Sequence, residues 1–157
     1  ENDIDMTIVG PEGPLVNGIV DEFTKHNLKI FGPLKNYAIL EGSKVFAKEF
    51  MKNYDIPTAD YQMFSSADQA RDFVKDKKHP IVIKADGLAA GKGVVVSCSI
   101  EESKKAIDSL LESKHSNHLV IEEFLSGQEL SAIYVCNFKG CSYEFLKEVC
   151  FFIRTFS

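Results

Sequence analysis

The stretch Ile81-Val-Ile-Lys-Ala-Asp-Gly-Leu-Ala-Ala-Gly-Lys-Gly-Val-Val-Val-Ser97 joins two β-branched runs through a glycine-rich link. The first run ends at Lys84 and the second begins at Val94, so the pattern predicts two strands with a loop over 85–93 between them. Glycines add no Cβ and tolerate positive φ, which lets the backbone N–H groups of such a loop approach phosphate oxygens. The loop is therefore a candidate phosphate-binding segment.

The spacing of the glycines separates this loop from a P-loop. A P-loop has four residues between its glycines, a Ser or Thr after its lysine and a helix beyond. Here three residues separate Gly87 from Gly91, Gly93 follows Lys92, and the β-prone run continues from there. We therefore interpret the segment as a glycine-rich hairpin.

Charged residues near the hairpin extend the candidate site. Lys84 ends the first strand and Lys92 lies in the loop, so their ammonium groups can converge on a polyphosphate, with Lys44 as a third. Acidic side chains that can accept hydrogen bonds from ribose hydroxyls follow a later β-prone run: Glu122, Glu123 and Glu129. The residues alone leave a second interpretation open, in which a tight turn carries solvated lysines and the acids face water.

Composition limits the classes of function. The chain has 157 residues, of which 45% are hydrophobic and 26% charged, enough for one ordinary domain or two small ones. A net charge of −5 argues against sequence-independent binding to nucleic acid but does not exclude nucleotides. The apolar runs are far shorter than the roughly 20 residues of a membrane helix. Four cysteines without a CxxC pair indicate reduced thiols, so we expect a cytoplasmic protein.

The N-terminal residues predict a parallel α/β layer. Met6–Val9 and Lys29–Phe31 are β-prone, and apolar residues at helical spacing between them predict a helix over 15–26. The turn-rich segment 10–14 falls at the carboxyl end of the first strand, where such layers bind ligands. These pieces are too few for a complete sheet, so we expect further strands before residue 1.

Further elements flank the hairpin. Apolar residues at helical spacing predict three more helices, over 36–53, 67–77 and 101–112. Two of them open with a potential capping box: Ser66 with Gln69, and Ser99 with Glu102. Strands are predicted over 119–121 and 129–135. From residue 136 the composition changes, since the last 22 residues hold three of the four cysteines and five of the twelve phenylalanines.

Seven stretches carry a family resemblance: Val9-Gly-Pro-Glu-Gly-Pro-Leu15, Ile30-Phe-Gly-Pro33, Leu40-Glu-Gly-Ser-Lys44, Phe46-Ala-Lys-Glu-Phe50, Ile56-Pro-Thr-Ala59, Ile83-Lys-Ala-Asp-Gly-Leu-Ala-Ala-Gly-Lys-Gly-Val94, and Val120-Ile-Glu-Glu-Phe-Leu125. Together they resemble the phosphoribosylamine–glycine ligases, or glycinamide ribonucleotide synthetases. The similarity runs in order over about residues 5–135 without large gaps. The stretch from Lys84 to Val94 is its most specific part.

The resemblance implies an ATP-grasp enzyme, in which two α+β subdomains clamp ATP and the glycine loop closes over the phosphates. Such ligases join glycine to 5-phosphoribosylamine in purine biosynthesis, using ATP and magnesium or manganese. The glycine carboxylate takes the γ-phosphoryl group, and the amine then attacks the resulting glycyl phosphate. The site has to neutralise phosphate charge and exclude water. In animals this activity is typically the first module of a multifunctional purine enzyme.

The resemblance also assigns roles to individual residues. Lys44 and Lys84 match the lysines that meet the ATP phosphates. The flexible loop over the phosphates is matched by Ala85–Gly93, with Gly87, Gly91, Lys92 and Gly93. The hinge that contacts adenine is matched by Glu122, Glu123, Phe124 and Leu125. The acid that contacts ribose is matched by Glu129. The turn that faces phosphoribosylamine is matched by Gly10, Pro11 and Glu12.

Several segments of the family are missing from the chain, including an N-terminal glycine-rich phosphate motif and the later metal-binding Glu and Asn. We therefore expect the metal ligands outside this chain. The predicted fold is α/β and α+β: a partial pre-ATP-grasp parallel layer at 1–40, an incomplete ATP-grasp domain at 41–135 with a lid subdomain at about 67–126, and a divergent tail at 136–157. Two alternatives stay open, a non-catalytic ATP-binding fragment and another ATP-grasp carboxylate–amine ligase. We expect no nucleic acid or membrane partner.

Overall fold

Two sheets carry the fold. A computed structural model describes residues 3–89, 92–112 and 117–128. Residues 1–123 form one compact unit, and a second begins at residue 124. The elements of the first unit are, in chain order, β1 (Thr7–Ile8), α1 (Glu12–Val16), α2 (Ile19–Lys25), β2 (Ile30–Phe31), α3 (Lys35–Gly42), α4 (Lys44–Asn53), β3 (Tyr61–Phe64), α5 (Ala67–Lys75), β4 (Ile81–Ala85), β5 (Val94–Ser97), α6 (Ile100–Glu112) and β6 (Leu119–Glu123). None of the helices within the described ranges has the length and apolar character needed to cross a bilayer.

The N-terminal layer is parallel, as the sequence predicts. β1 and β2 pair in parallel, with Thr7 opposite Ile30 and Ile8 opposite Phe31. A small apolar core of Leu15, Val20 and Ala38 holds the helices of this layer together. This βαβ arrangement leaves the segment after β1 at the carboxyl end of a parallel strand.

Two of the predicted helices are each divided in two. The helix predicted over 15–26 begins at Glu12 and is interrupted before α2, because Gly18 has φ +90°, a left-handed conformation that suits glycine. The helix predicted over 36–53 is interrupted at Ser43, whose backbone is extended. The Ser43 Oγ accepts a hydrogen bond from the Phe46 N–H at 3.1 Å, so it caps α4 and fixes Lys44 as its first residue.

The predicted hairpin forms half of a four-stranded antiparallel sheet with the strand order β3-β6-β4-β5. β4 pairs with β5 across the glycine loop, and on its other side with β6. β3, which was not predicted from the sequence, pairs with β6 along Tyr61–Phe64. Its aromatic residues at both ends favour a strand, but four residues are too few for a clear alternating pattern.

Each face of this sheet has its own environment. The helix face carries Ile83, Ala85 and Ile121, which pack with α5 and α6 in the main apolar core. We call the opposite face the lysine face, and it carries Val82, Lys84, Val120 and Glu122 together with Tyr61 and Met63. Alternation along the strands produces this division, since successive residues point to opposite sides.

One of the two predicted capping boxes forms in part. Glu102 N–H donates to Ser99 Oγ at 3.2 Å, while the Glu102 carboxylate accepts from the N–H of Cys98, one residue before Ser99, at 2.8 Å. Ser66 occupies the N-cap position of α5, but its side chain makes no capping hydrogen bond, so that box was a wrong prediction. The strand predicted over 129–135 and the tail at 136–157 lie outside the described residues.

Close packing of α1 on α3 predicts a stability effect at Gly42. A Cβ at this position would lie 2.9 Å from Cγ2 of Val16 and 3.1 Å from its Cγ1. We expect Gly42→Ala to lower the free energy of unfolding by about 1–3 kcal/mol, because the stiff β-branched neighbour has to move. Chemical denaturation followed by circular dichroism measures this difference.

Gly127→Ala is the control for this experiment. A Cβ at Gly127, an exposed residue, meets nothing within 4 Å. This variant should therefore stay within about 0.5 kcal/mol of the wild type in its free energy of unfolding. Equal stability of the Gly42→Ala chain and the wild type would contradict the packing argument.

Candidate functional site

The base of the glycine loop is fastened to the N-terminus of α4. The Asp86 carboxylate accepts hydrogen bonds from Ser43 Oγ at 3.1 Å and from the Val45 N–H at 3.1 Å. Asp86 therefore places a negative charge at the positive end of the helix dipole. On the other side, its own N–H donates to the His118 carbonyl at 3.0 Å. Asp86 thus links the hairpin to α4 and to the residue just before β6.

Steric constraints explain why glycine occupies both ends of the loop. Gly87 has φ +82°, which a residue with a Cβ rarely adopts. A Cβ at Gly93 would lie 2.5 Å from the Cβ of Ala89. The loop ends are also joined by the Ala85 N–H, which donates to the Gly93 carbonyl at 2.7 Å. The middle of the loop, including Gly91, lies outside the described residues.

Lys44 is held against the start of the loop. Its Nζ donates to the Gly87 carbonyl at 2.7 Å. Burial lowers the pKa of the Lys44 ammonium from its usual value; the Asp86 carboxylate opposes this effect, whereas the charge of Lys84 adds to it. The two lysines that the sequence predicts as phosphate ligands are therefore near enough to repel each other. An anion placed between them would relieve this repulsion.

Lys84 meets Glu122 on the lysine face. The Lys84 Nζ donates to Glu122 Oε2 at 2.9 Å, and the two side chains are 14% and 5% exposed. The register explains the contact: Val82 lies opposite Glu122 and Lys84 lies opposite Val120, so Lys84 and Glu122 are diagonal neighbours on one face. The other carboxylate oxygen, Oε1, is buried and has no hydrogen-bond partner within the described part of the chain.

A third lysine, which the sequence analysis did not single out, completes this cluster. Lys48 of α4 is buried, and its Nζ lies 3.2 Å from the same Glu122 Oε2. It also donates to Thr58 Oγ1 at 2.7 Å and to the Ala59 carbonyl at 3.2 Å. A signal exists in the sequence, because Lys48 stands three residues from both Val45 and Met51 of the apolar stripe of α4.

The acidic residues differ from their predicted placement. Glu122 and Glu123 are the last two residues of β6 and do not follow the strand. Glu122 is buried, although the water-facing alternative would expose it, whereas Glu123 is exposed. The Glu123 carboxylate accepts from the Asp60 N–H at 2.9 Å, which anchors the loop before β3. Glu129 lies outside the described residues.

Within residues 3–89, 92–112 and 117–123, no side-chain hydrogen bond or ion pair joins the other predicted residues to this cluster. Gly10, Pro11 and Glu12 are exposed at the carboxyl end of β1, with Pro11 as the N-cap of α1. Lys92 is exposed in the loop. Phe124 and Leu125 belong to the second unit and are 38% and 39% exposed.

The cluster suits an anionic ligand. Lys44 and Lys84 supply positive charge at the start of a glycine loop, with Lys44 bonded to the Gly87 carbonyl. Within the described ranges, no group of three or more His, Cys, Asp or Glu side chains is close enough to hold a metal ion. The arrangement of charges can therefore attract phosphate oxygens at the start of the loop.

Comparison with known proteins covers nearly the whole chain. A family model described as phosphoribosylglycinamide synthetase, ATP-grasp (A) domain, matches residues 42–149, and the N domain model of the same synthetase matches residues 1–41. The phosphoribosylamine–glycine ligase of Neisseria meningitidis is 56% identical over 137 residues, which are 85% of this chain. That of Escherichia coli is 52% identical over 134 residues, or 83% of this chain. The chain spans 32% and 31% of the length of these two relatives.

Solved structures agree with these similarities. A phosphoribosylamine–glycine ligase from Thermotoga maritima superposes with a TM-score of 0.69 at 40% identity, covering 90% of this chain and 35% of that one. D-alanyl-alanine synthetase A from Vibrio cholerae gives a TM-score of 0.72 at 17% identity, covering 88% of this chain and 43% of that one. The second similarity shows a shared fold, while the first extends to the sequence.

The role of Asp86 in the site leads to a prediction. We expect Asp86→Ala to lower the free energy of unfolding by about 1–2 kcal/mol, because α4 loses a charged N-terminal hydrogen-bond acceptor. Hydrogen exchange should become faster at the Val45 amide, which loses its acceptor. Asp60→Ala, at an exposed side chain, is the control. Unchanged exchange at Val45 would show that Asp86 does not hold α4.

Proposed function

The chain belongs to the phosphoribosylglycinamide synthetase family, and from this we propose that it binds ATP as part of a ligase that joins glycine to 5-phosphoribosylamine in purine biosynthesis. The observation that carries the proposal is the convergence of Lys44 and Lys84 at the start of the glycine loop. Burial and the neighbouring charge of Lys84 lower the pKa of the Lys44 ammonium, and a polyanion bound there would stabilise its charged form. The chain spans about a third of its relatives' length, so the complete reaction is assigned to the longer protein.

The residues of this chain would contribute charge and position to the phosphate end of the nucleotide. Lys84 and Lys44 would offset the negative charge of the phosphates, and N–H groups of Ala85–Gly93 would donate to their oxygens. When bound, ATP supplies the phosphoryl group that activates the glycine carboxylate. The Lys84 side chain is only 14% exposed, so water would screen its contact with a phosphate weakly.

Substrate contacts form the second part of the proposal. Gly10, Pro11 and Glu12 would face the phosphoribosylamine, and their exposed position at the carboxyl end of β1 supports this role. Glu122 to Leu125 would contact the adenine and Glu129 the ribose. Magnesium or manganese would be held by residues outside this chain. A cytoplasmic location and membership of a multifunctional enzyme remain predictions from sequence.

A second candidate function is nucleotide binding without turnover. The short span of the chain relative to its ligase relatives favours it for the chain as it stands. The two candidates agree on the ATP site and differ in catalysis. A ligase for another carboxylate and amine is disfavoured, since the relatives above 50% identity are phosphoribosylamine–glycine ligases.

ATP binding depends on Lys84 in both candidates. We expect Lys84→Met to weaken ATP binding by about 1.5–3 kcal/mol, the usual value of a charge-assisted hydrogen bond. Isothermal titration calorimetry on the full chain measures the dissociation constants. Lys105→Met, an exposed position on α6 on the other side of the sheet, is the matched control. Equal affinity in the Lys84→Met chain and the wild type would remove Lys84 from the phosphate site.

Turnover separates the two candidates. We expect the chain incubated with ATP, glycine and phosphoribosylamine to release ADP at the background rate, since about two thirds of the relatives' length is missing from it. A coupled ADP assay measures the rate, with the complete ligase of Escherichia coli as positive control. Release above background that depends on both glycine and phosphoribosylamine would contradict the non-catalytic candidate.

A further inference from the structure

Lys48 is a buried cation with an unusual set of partners. Its side chain is 7% exposed, on a helix whose other lysines are more accessible. Burying an ammonium group is costly unless charge and hydrogen bonds compensate it. Three acceptors surround Nζ, namely Thr58 Oγ1, the Ala59 carbonyl and Glu122 Oε2. Two hydrogen bonds and one ion pair therefore occupy the Lys48 ammonium group.

These contacts disfavour direct ligand contact by Lys48. To reach a phosphate, its ammonium group would have to give up a hydrogen bond or the ion pair. Lys84 has twice the exposed fraction, 14%, and its Nζ has Glu122 Oε2 as an acceptor at 2.9 Å. Of the two lysines on Glu122, Lys84 is therefore the one that can reach a ligand, and Lys48 acts on it through Glu122.

The charge balance of the cluster shows what Lys48 changes. Both ammonium groups lie on the same oxygen, Oε2 of Glu122. One carboxylate shared by two ammonium groups leaves one net positive charge. Without Lys48, Glu122 and Lys84 would form a neutral pair that attracts a phosphate weakly. The effect is large in such a place, because water screens buried charges poorly.

We propose that Lys48 is a positioning residue for nucleotide binding, which offsets the charge of Glu122 and so leaves Lys84 a net positive charge to offer to a phosphate group. This inference rests on the proposed ATP site. A purely structural Lys48 would instead join α4 to the segment before β3 through Thr58 and Ala59. The two roles differ in their dependence on phosphate, so a comparison of ATP with adenosine separates them.

The experiment measures the ratio of adenosine to ATP dissociation constants for the full chain and its variants by calorimetry. In Lys48→Met the pair of Lys84 and Glu122 has no net charge, and we expect the ratio to fall on the order of tenfold. Lys48→Met with Glu122→Gln restores the net charge, so the ratio should return to within about threefold of wild type. Lys52→Met, an exposed lysine on the same helix, is the matched control and should leave the ratio unchanged.

The outcomes decide between the two roles. An unchanged ratio in Lys48→Met, or a lowered ratio that the double variant fails to restore, would overturn the proposal in favour of a structural role. Circular dichroism shows whether each variant is folded. If Lys48→Met does not fold, Glu122→Gln alone serves as the test, because it leaves two positive charges and should raise the ratio. A ratio at or below that of wild type would then refute the charge argument.

A measurement without nucleotide keeps this inference separate from the proposed function. If the wild-type chain binds no ATP, the proposed ATP site fails, but the sharing of Glu122 can still be tested. Nitrogen-15 NMR of lysine ammonium groups follows proton exchange with water at Lys84. Exchange should be slower in Lys48→Met, since Lys84 is then the sole cation on the carboxylate. Unchanged exchange would refute the sharing.

Discussion

The antiparallel pairing of β4 with β6 determines where the charges of this molecule lie. It sets Val82 opposite Glu122 and Lys84 opposite Val120, so the acid and the lysine share one face and touch at 2.9 Å. The same alternation turns Ile83 toward the core formed with α5 and α6. A shift of one residue in this register would exchange the two faces, burying the lysine in the apolar core. Core packing and site chemistry therefore depend on one set of backbone hydrogen bonds.

The candidate site brings lysine side chains together in a place where burial disfavours their charged form. Burial lowers the pKa values of Lys44 and Lys48, and the carboxylates of Asp86 and Glu122 respectively oppose that effect. Both acids are also tied into the framework, since Asp86 caps α4 and Glu122 receives two lysines. An anion bound beside these lysines would stabilise their charged form. The cluster therefore meets the electrostatic condition for binding a polyphosphate.

The sequence supports local predictions well and contacts between distant elements poorly. The hairpin, the parallel N-terminal pair and the capping box at Ser99 follow from residue types over a few positions. The interruptions at Gly18 and Ser43 do not, because apolar spacing continues across both. The prediction of a capping box at Ser66 was wrong for a different reason: its residues have the right spacing, but a side chain that can form a cap does not always do so.

The sequence by itself determined the glycine-rich hairpin, the family resemblance and the choice of Lys44 and Lys84, since these depend on residue identity within short segments. Only the tertiary structure decided that Lys48 and Glu122 belong to the same cluster. They stand on a helix and on a distant strand, and they meet because α4 lies against β6 on the lysine face. Periodicity gives the face on which a residue stands, but only packing between elements gives the partner that it meets there.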